Sequence, residues 1–189
     1  MSEKQIRLAV IVASTREGRF SETVSRWFVD QARQYDVQVD LIDLADLDLP
    51  SRHRAEPTPE INELTSRTGA ADAFAVITCE YNHGYPASLK FAIDSVLEEW
   101  KAKPVGFVSY GGLAGGLRAV EQLRLVFAEL QAVTIRETVS FHMAHSQFDE
   151  KGQPHQTEAV STAAKSFMDQ LLWWANALRT AKAAVPYVG

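Results

Sequence analysis

The segment Ile6–Val12, with the sequence IRLAVIV, is a nearly continuous apolar run that ends directly before the polar segment ASTREGRFSET at 13–23. A strand without polar alternation is buried on both faces, which is typical of a parallel sheet. A helical pattern follows, in which one apolar face is formed by Val24, Trp27, Phe28, Ala32 and Tyr35. The beginning of the chain therefore predicts a buried strand, a polar loop and a helix.

The same alternation continues along the chain. Further strands are predicted at 37–44, 73–78, 104–109 and 133–139, with helical patterns between them and a closing helix from about 158 to 182. Two of the helical faces consist of Leu89, Ile93, Val96, Leu97 and Trp100, and of Leu117, Val120, Leu123, Phe127 and Leu130. Right-handed crossovers then give an α/β fold, a flavodoxin-like, doubly wound, five-stranded parallel sheet of order 2-1-3-4-5 with helices on both faces. We expect one domain over residues 1–189.

The composition excludes several classes of protein. Lys and Arg number 19 against 24 Asp and Glu, for a formal net charge of -5, so no broad basic surface for nucleic acid is expected. No apolar run approaches the roughly 20 residues that span a bilayer, and no secretory signal is recognised, so we expect a cytoplasmic protein without a membrane partner. Because Cys79 is the only cysteine, redox chemistry would require a bound cofactor.

Three unusual loops follow predicted strands one, three and four. Their sequences are ASTREGRFSET at 13–23, CEYNHGYPAS at 79–88 and YGGLAGG at 110–116. In an open parallel sheet, ligands bind outside the carboxyl ends of the strands where the winding direction reverses, here between strands one and three. The three loops are therefore expected to meet at one binding site.

The first loop has the composition of an anion site. Its donors are the hydroxyls of Ser14, Thr15 and Ser21, the cations Arg16 and Arg19, and the backbone N–H groups before a helix. Because neither GxxxxGK[ST] nor GxGxxG is present, a single terminal phosphate fits better than a pyrophosphate. The alternative interpretation is that Ser21 only caps the helix.

The second and third loops are suited to a planar ring. Residues 80–86, EYNHGYP, combine aromatic faces with amide and backbone donors, and Pro86 suits the first turn of a helix. The glycines of the third loop allow the backbone to approach a ligand closely. The alternatives are a plain connection for the second loop and a flexible turn for the third.

Together, the three loops resemble those of the NADPH-dependent FMN reductase family, the flavodoxin-like quinone, azo-dye and chromate reductases. The most specific matches are STREGRFS from Ser14, EYNHGYP from Glu80 and SYGGLAGGLRA from Ser109. The resemblance implies that the FMN phosphate and ribityl chain are held by Ser14, Arg16, Arg19, Phe20 and Ser21. It implies that the isoalloxazine ring is bordered by Glu80, Tyr81, Asn82 and His83 on one side, and by Ser109, Tyr110, Gly111 and Gly112 on the other.

The resemblance also implies a function. An FMN enzyme of this kind takes hydride from NADPH or NADH and passes electrons to a small-molecule acceptor such as a quinone, an azo compound or a second flavin. The flavin carries the chemistry, so no catalytic side chain is predicted. Relatives are commonly dimers or tetramers, and we expect a homodimer or homotetramer. The alternatives are a flavodoxin-like electron carrier that docks with protein partners and a flavin-free regulator with the same fold.

Four further residues have more than one interpretation. Arg118 either meets a phosphate or pairs with Glu121, three residues on along the same helical face. His142 and His145 have the spacing of metal ligands, but their segment follows strand five, away from the switch point, so we expect solvated loop histidines and no metal site. Cys79 stands where relatives often carry proline, and we expect it to be a small residue at a strand end.

Overall fold

The computed structural model describes residues 5–188 of the chain. Its strands and helices alternate in the order β1 (Ile6–Val12), α1 (Ser21–Ala32), β2 (Val37–Asp43), α2 (Pro59–Ala70), β3 (Ala73–Cys79), α3 (Ala87–Ser95), β4 (Pro104–Tyr110), α4 (Leu117–Glu129), β5 (Val133–Phe141) and α5 (Thr157–Ala184). Short 3-10 turns occur at Glu98–Trp100 and Ala144–Ser146. The five predicted strands are confirmed, and β3, β4 and β5 extend slightly further than the sequence pattern indicated.

The strands form one parallel sheet in the order β2-β1-β3-β4-β5, which confirms the predicted topology. In its register, Val10 of β1 lies opposite Leu41 of β2 and Ala75 of β3. Because all strands run in the same direction, the loops after β1, β3, β4 and β5 leave from the same edge. We call this edge the carboxyl edge and the opposite one the amino edge.

Helices cover both faces of the sheet, as predicted. On one face, Val10 packs in a buried cluster with Phe28 of α1 and Phe167 of α5, whose rings meet edge to face at 5.3 Å. On the other face, Ile11 lies in a second cluster with Phe127 of α4. Burying each such side chain contributes about 1.5–3 kcal/mol. The sheet is therefore a packed platform that fixes where its loops begin.

The helical pattern from Leu89 to Trp100 was predicted as one helix, and this is wrong. Helix α3 ends at Ser95, and Val96 has an extended backbone. Trp100 turns back, and its indole N–H donates to the carbonyls of Ile93 at 3.2 Å and Val96 at 2.5 Å. The indole thus satisfies carbonyls that the end of a helix leaves without partners.

The first helix also ends earlier than predicted. Helix α1 stops at Ala32, and Tyr35 lies in the turn that leads to β2, where its N–H donates to the Ala32 carbonyl at 3.1 Å. The apolar periodicity continued past the end of the helix because Tyr35 still packs against the same core. The single domain over 1–189 stays a prediction, and residues 1–4 and 189 lie outside the described part of the chain.

Candidate functional site

A cavity of about 490 Å³ opens at the carboxyl edge, within the range of about 300–1,000 Å³ that is typical of small-molecule sites. Four loops surround it, which we call loop 1 (13–20), loop 2 (80–86), loop 3 (111–116) and loop 4 (142–156). The residues that line the cavity are Ser14, Arg16, Glu17, Gly18, Arg19, Phe20, Cys79, Glu80, Tyr81, Tyr110, Gly111, Gly112, Met143, Ala144, His145 and Ser146.

Loop 1 presents unused donors to this cavity. Within residues 5–188, no backbone N–H from Ser14 to Gly18 donates a hydrogen bond. Arg16 is exposed and forms no ion pair with any described residue. Gly18 has a φ of 65°, which a glycine adopts without strain. Helix α1 begins at Ser21, so the positive end of its dipole faces the same space, as in sites that bind a phosphate.

The second cation of loop 1, Arg19, already forms an ion pair within the protein. Arg19 Nη1 and Nη2 donate to the two Asp43 carboxylate oxygens at 2.6 and 2.7 Å, and Nη1 also donates to the Ser14 carbonyl at 2.6 Å. Burial would lower the pKa of Arg19, but the hydrogen bonds and the charge of Asp43 outweigh it and raise the pKa. In the described chain, Arg19 therefore joins loop 1 to the end of β2. Its predicted contact with a phosphate stays a prediction.

Hydroxyl groups connect the base of the cavity. Ser14 Oγ and Tyr81 Oη are hydrogen bonded at 3.0 Å, which joins loop 1 to loop 2. Ser21 Oγ is buried below the cavity without a well-formed hydrogen bond, close to the Tyr110 phenol. Burial, and then the neighbouring Cys79, raise the pKa of Tyr110. The Tyr110 phenol therefore stays protonated and can donate a hydrogen bond.

Loop 2 is a tight, strained turn. Tyr81 and Gly84 exchange two backbone hydrogen bonds, at 2.9 and 3.0 Å. Between them, Asn82 and His83 have positive φ angles of 50° and 70°, which is uncommon for residues other than glycine. Neither of these two side chains lines the cavity. Glu80 and Tyr81 line it, so the start of the loop, and not its tip, faces the site.

Arg118 of α4 holds loop 2 from outside. Its Nη2 lies 2.5 Å from Glu80 Oε1, and its Nη1 donates to His83 Nε2 at 2.5 Å. The alternative pairing with Glu121 is wrong, because Glu121 pairs with Arg124 at 3.2 Å. No local pattern predicts this contact, since Glu80 lies in loop 2 and Arg118 in α4, and only the parallel sheet brings them together.

Loop 3 approaches the cavity through its backbone. The Gly111 N–H donates to the Phe141 carbonyl at 3.1 Å, and the carbonyls of Gly111 and Gly112 accept from Ala144 and Met143 of loop 4. Ser109 is fully buried and donates to the Gly115 carbonyl at 2.8 Å. Ser109 therefore supports loop 3 from below and does not line the cavity.

Loop 4 was expected to lie away from the site, and this is wrong. Met143, Ala144, His145 and Ser146 line the cavity. The His145 ring packs on Phe20 of loop 1 with ring centroids 4.6 Å apart, whereas His142 Nδ1 donates to the Leu113 carbonyl at 3.0 Å. The predicted sheet order contained the missing signal, because β5 lies beside β4 and ends at the same edge. Among residues 5–188, no group of three or more His, Cys, Asp and Glu side chains could hold a metal ion.

Comparisons with known proteins agree with this geometry. A family model described as NADPH-dependent FMN reductase matches residues 6–146. An NAD(P)H-dependent FMN reductase of Schizosaccharomyces pombe is 35% identical over 120 residues, which cover 58% of this chain and 60% of that protein. An FMN-dependent NADPH-azoreductase of Staphylococcus haemolyticus is 26% identical over 176 residues, which cover 88% of this chain and 94% of that protein.

A solved structure shares the fold. It is the flavoenzyme NAD(P)H:(acceptor) oxidoreductase of Paracoccus denitrificans, with a TM-score of 0.75 and 21% sequence identity, and the match covers 90% of this chain and 97% of that chain.

No helix within residues 5–188 is both long and apolar enough to cross a membrane.

Proposed function

The chain belongs to the NADPH-dependent FMN reductase family, and we propose that it binds FMN in the cavity at the carboxyl edge. It is an FMN-dependent oxidoreductase that takes reducing equivalents from NADPH or NADH and delivers them to a small-molecule acceptor. Quinones, azo compounds and free flavins are the proposed acceptors. The observation that carries this proposal is the cavity itself, where an anion site and two ring-binding loops meet.

The polar groups of loop 1 fit the phosphate of FMN. Ser14, Arg16, Glu17 and Gly18, whose backbone N–H groups donate to no described residue, line the same cavity, and α1 begins next to them. A phosphate monoester carries about two negative charges at neutral pH and three strong acceptor oxygens. These groups, along with the hydroxyls of Ser14 and Ser21, would bind the FMN phosphate. Phe20 would cover the ribityl chain beside His145.

The remaining walls fit a flat ring. Tyr81 and Tyr110 offer aromatic surface, and the carboxylate of Glu80 and the backbone of Gly111 and Gly112 offer polar groups at its edges. Asn82 and His83 would contribute through the loop 2 backbone, since their side chains lie outside the cavity lining. Ser109 would contribute by holding loop 3.

When bound, FMN supplies the hydride acceptance and the electron transfer. The residues of this chain are then required only to bind the cofactor, orient it and leave one face open to reductant and acceptor. The open side of the cavity, where Met143 is 57% exposed, would receive these molecules in turn.

An absorption spectrum tests the proposal directly. Purified protein mixed with FMN should retain a yellow flavin spectrum after gel filtration, and anaerobic NADPH should bleach it. Riboflavin, which lacks the phosphate, is the matched control and should be retained far more weakly. A protein that retains no FMN would contradict the proposed function.

A turnover assay separates the enzyme from an electron carrier. With FMN bound, NADPH should be oxidised continuously when a quinone is present and no other reductase is added. An electron carrier would instead show flavin binding without this turnover. The small-molecule acceptor would then be wrong, while the cofactor would stand.

We also propose a homodimer or homotetramer. On α5, Trp173 is 63% exposed, and its ring packs edge to face on Trp174 at 5.1 Å. Large exposed aromatic side chains are enriched at interfaces between subunits. Sedimentation or gel filtration showing only monomer at high concentration would contradict the proposal. The cytoplasmic location stays a prediction from the sequence.

A further inference from the structure

The carboxylate of Glu80 has one bound oxygen and one free oxygen. Its side chain is only 7% exposed, and Oε1 lies 2.5 Å from Arg118 Nη2. Oε2 is buried and has no hydrogen-bond partner among the described residues. A buried charged oxygen without a partner is costly and requires an explanation. Because Glu80 lines the cavity, a ligand in the cavity can supply the missing donor.

Arg118 fixes where this carboxylate lies. Its planar guanidinium contacts Glu80 on one side and His83 on the other, two residues of the same loop. Gln122, one helical turn further along α4, donates to the His83 carbonyl at 2.7 Å. These contacts hold the strained turn at Asn82 and His83, where each positive φ costs about 1 kcal/mol or more. Glu80 is therefore held from a rigid helix and not by its own loop.

The chemistry of the proposed cofactor matches the free oxygen. An isoalloxazine ring carries an N–H donor at its edge, and a carboxylate oxygen is the strongest acceptor that a protein side chain offers. Resting on the proposed FMN function, we propose that Glu80 Oε2 accepts a hydrogen bond from the flavin ring and that Arg118 is the positioning residue that holds Glu80 for it. Arg118 also balances the carboxylate charge next to the ring.

Binding measurements test the first half of this assignment. FMN affinity is measured by fluorescence titration of flavin-free protein for the wild type, Glu80→Gln, Arg118→Gln, Arg118→Lys and the Glu80→Gln/Arg118→Gln double variant. Each glutamine variant should bind FMN about tenfold more weakly, as expected for losing a charged hydrogen bond. The double variant should be no weaker than Glu80→Gln alone, because residues that act through one contact are not additive.

The midpoint potential of the bound flavin tests the second half. Glu80→Gln removes a negative charge beside the ring, so electron addition becomes easier and the potential rises. Arg118→Gln removes the compensating positive charge, so the potential falls, and Arg118→Lys restores most of it. A merely structural role for the pair would not produce shifts of opposite sign.

A matched control is present on the same helix. Glu121→Gln makes the same chemical change at a side chain that is 75% exposed and lies outside the cavity lining, and it should leave FMN affinity and potential unchanged. If the wild type binds no FMN, the proposed function is wrong. If the wild type binds FMN but the Glu80 and Arg118 variants bind equally well, or if their effects add, the function stands and this inference is overturned.

Discussion

At the amino edge of the sheet, the buried ammonium group of Lys103 donates to the Thr68 and Gly69 carbonyls at 2.9 and 3.1 Å. At the carboxyl edge, the carboxylate of Glu80, whose side chain is 7% exposed, leaves one oxygen without a partner in the described chain, and the N–H groups of loop 1 from Ser14 to Gly18 donate to no described residue. Both edges bury a charged group, but only at the amino edge does the described chain supply its hydrogen-bond partners. The difference indicates that the amino edge serves stability and that the carboxyl edge is completed by a ligand.

The largest effect is expected at Lys103. Burial, followed by the charge of Lys182, lowers its pKa from 10.5 to about 8, against the attraction of Asp72 and Glu99. The unfolded chain therefore binds the proton more readily, so the free energy of unfolding should rise between pH 8 and 10.5 and be lowest below pH 8. The full rise corresponds to about 3 kcal/mol.

Urea unfolding at a series of pH values measures this rise. Lys103→Met should lack it, while its FMN affinity at pH 7 should match that of the wild type. Lys151→Met, at an exposed loop position, is the control and should keep the rise. A Lys103→Met variant with the pH dependence of the wild type would show that this amine is not the titrating group.

At the carboxyl edge, Arg16→Ala should change FMN affinity and leave stability unchanged, the reverse of what we expect for Lys103→Met. It removes the free cation of loop 1, so FMN should bind about 30-fold more weakly, as for the loss of a charged hydrogen bond of about 2 kcal/mol. Riboflavin affinity and the unfolding of the flavin-free protein should not change. Arg26→Ala, on the exposed side of α1, is the matched control. Equal losses for FMN and riboflavin would contradict a phosphate contact.

Asp43→Asn tests the Arg19–Asp43 ion pair, which we expect to contribute both to stability and to ligand binding. The variant weakens the bonds that hold Arg19, whose side chain is 10% exposed. We expect about 1.5 kcal/mol less free energy of unfolding, and FMN and riboflavin affinities that fall together because the loop is less ordered. Asp30→Asn, in a surface pair with Arg33, should change neither quantity. A loss confined to FMN would instead assign Arg19 to the phosphate.

The smallest effect is expected at the tip of loop 2. Asn82 has a φ of 50°, and glycine adopts such an angle freely while giving up more chain entropy on folding. These terms oppose each other, so Asn82→Gly should change the free energy of unfolding by less than about 0.5 kcal/mol. His83→Gly also loses the Arg118 contact and should be clearly less stable. Equal stability of the two variants in urea unfolding would show that Arg118 does not hold the turn.

Apolar periodicity was sufficient for the sheet because burial on both faces leaves a continuous pattern such as IRLAVIV in the chain. It failed at Trp100, where a residue returns to the core after the helix has ended and therefore keeps the helical spacing. The order of the strands predicted the edge at which the cavity opens. That part of the architecture follows from local pattern and the handedness of crossovers.

The finer roles of the site residues depended on contacts between distant segments. The composition of loop 1 predicted an anion site, but it could not distinguish Arg16 from Arg19, because only folding brings Asp43 next to the latter. The pairing of Arg118 with Glu80 was missed for the same reason, since helical spacing considers only neighbours on one helix. Loop 4 was misplaced because its distance from the switch point was taken to exclude it, although β5 lies beside β4 and ends at the same edge of the sheet.

The hydrogen bond between the hydroxyls of Ser14 and Tyr81 has a thermodynamic consequence. It joins the segment that would hold the phosphate to the segment that would hold the ring, so ordering one of them lowers the entropy that remains to be lost by the other. Free-energy coupling between two subsites is reciprocal. Inorganic phosphate and riboflavin, added as two separate molecules, should therefore each bind more tightly in the presence of the other. The protein would then couple two fragments that an ester bond joins in FMN.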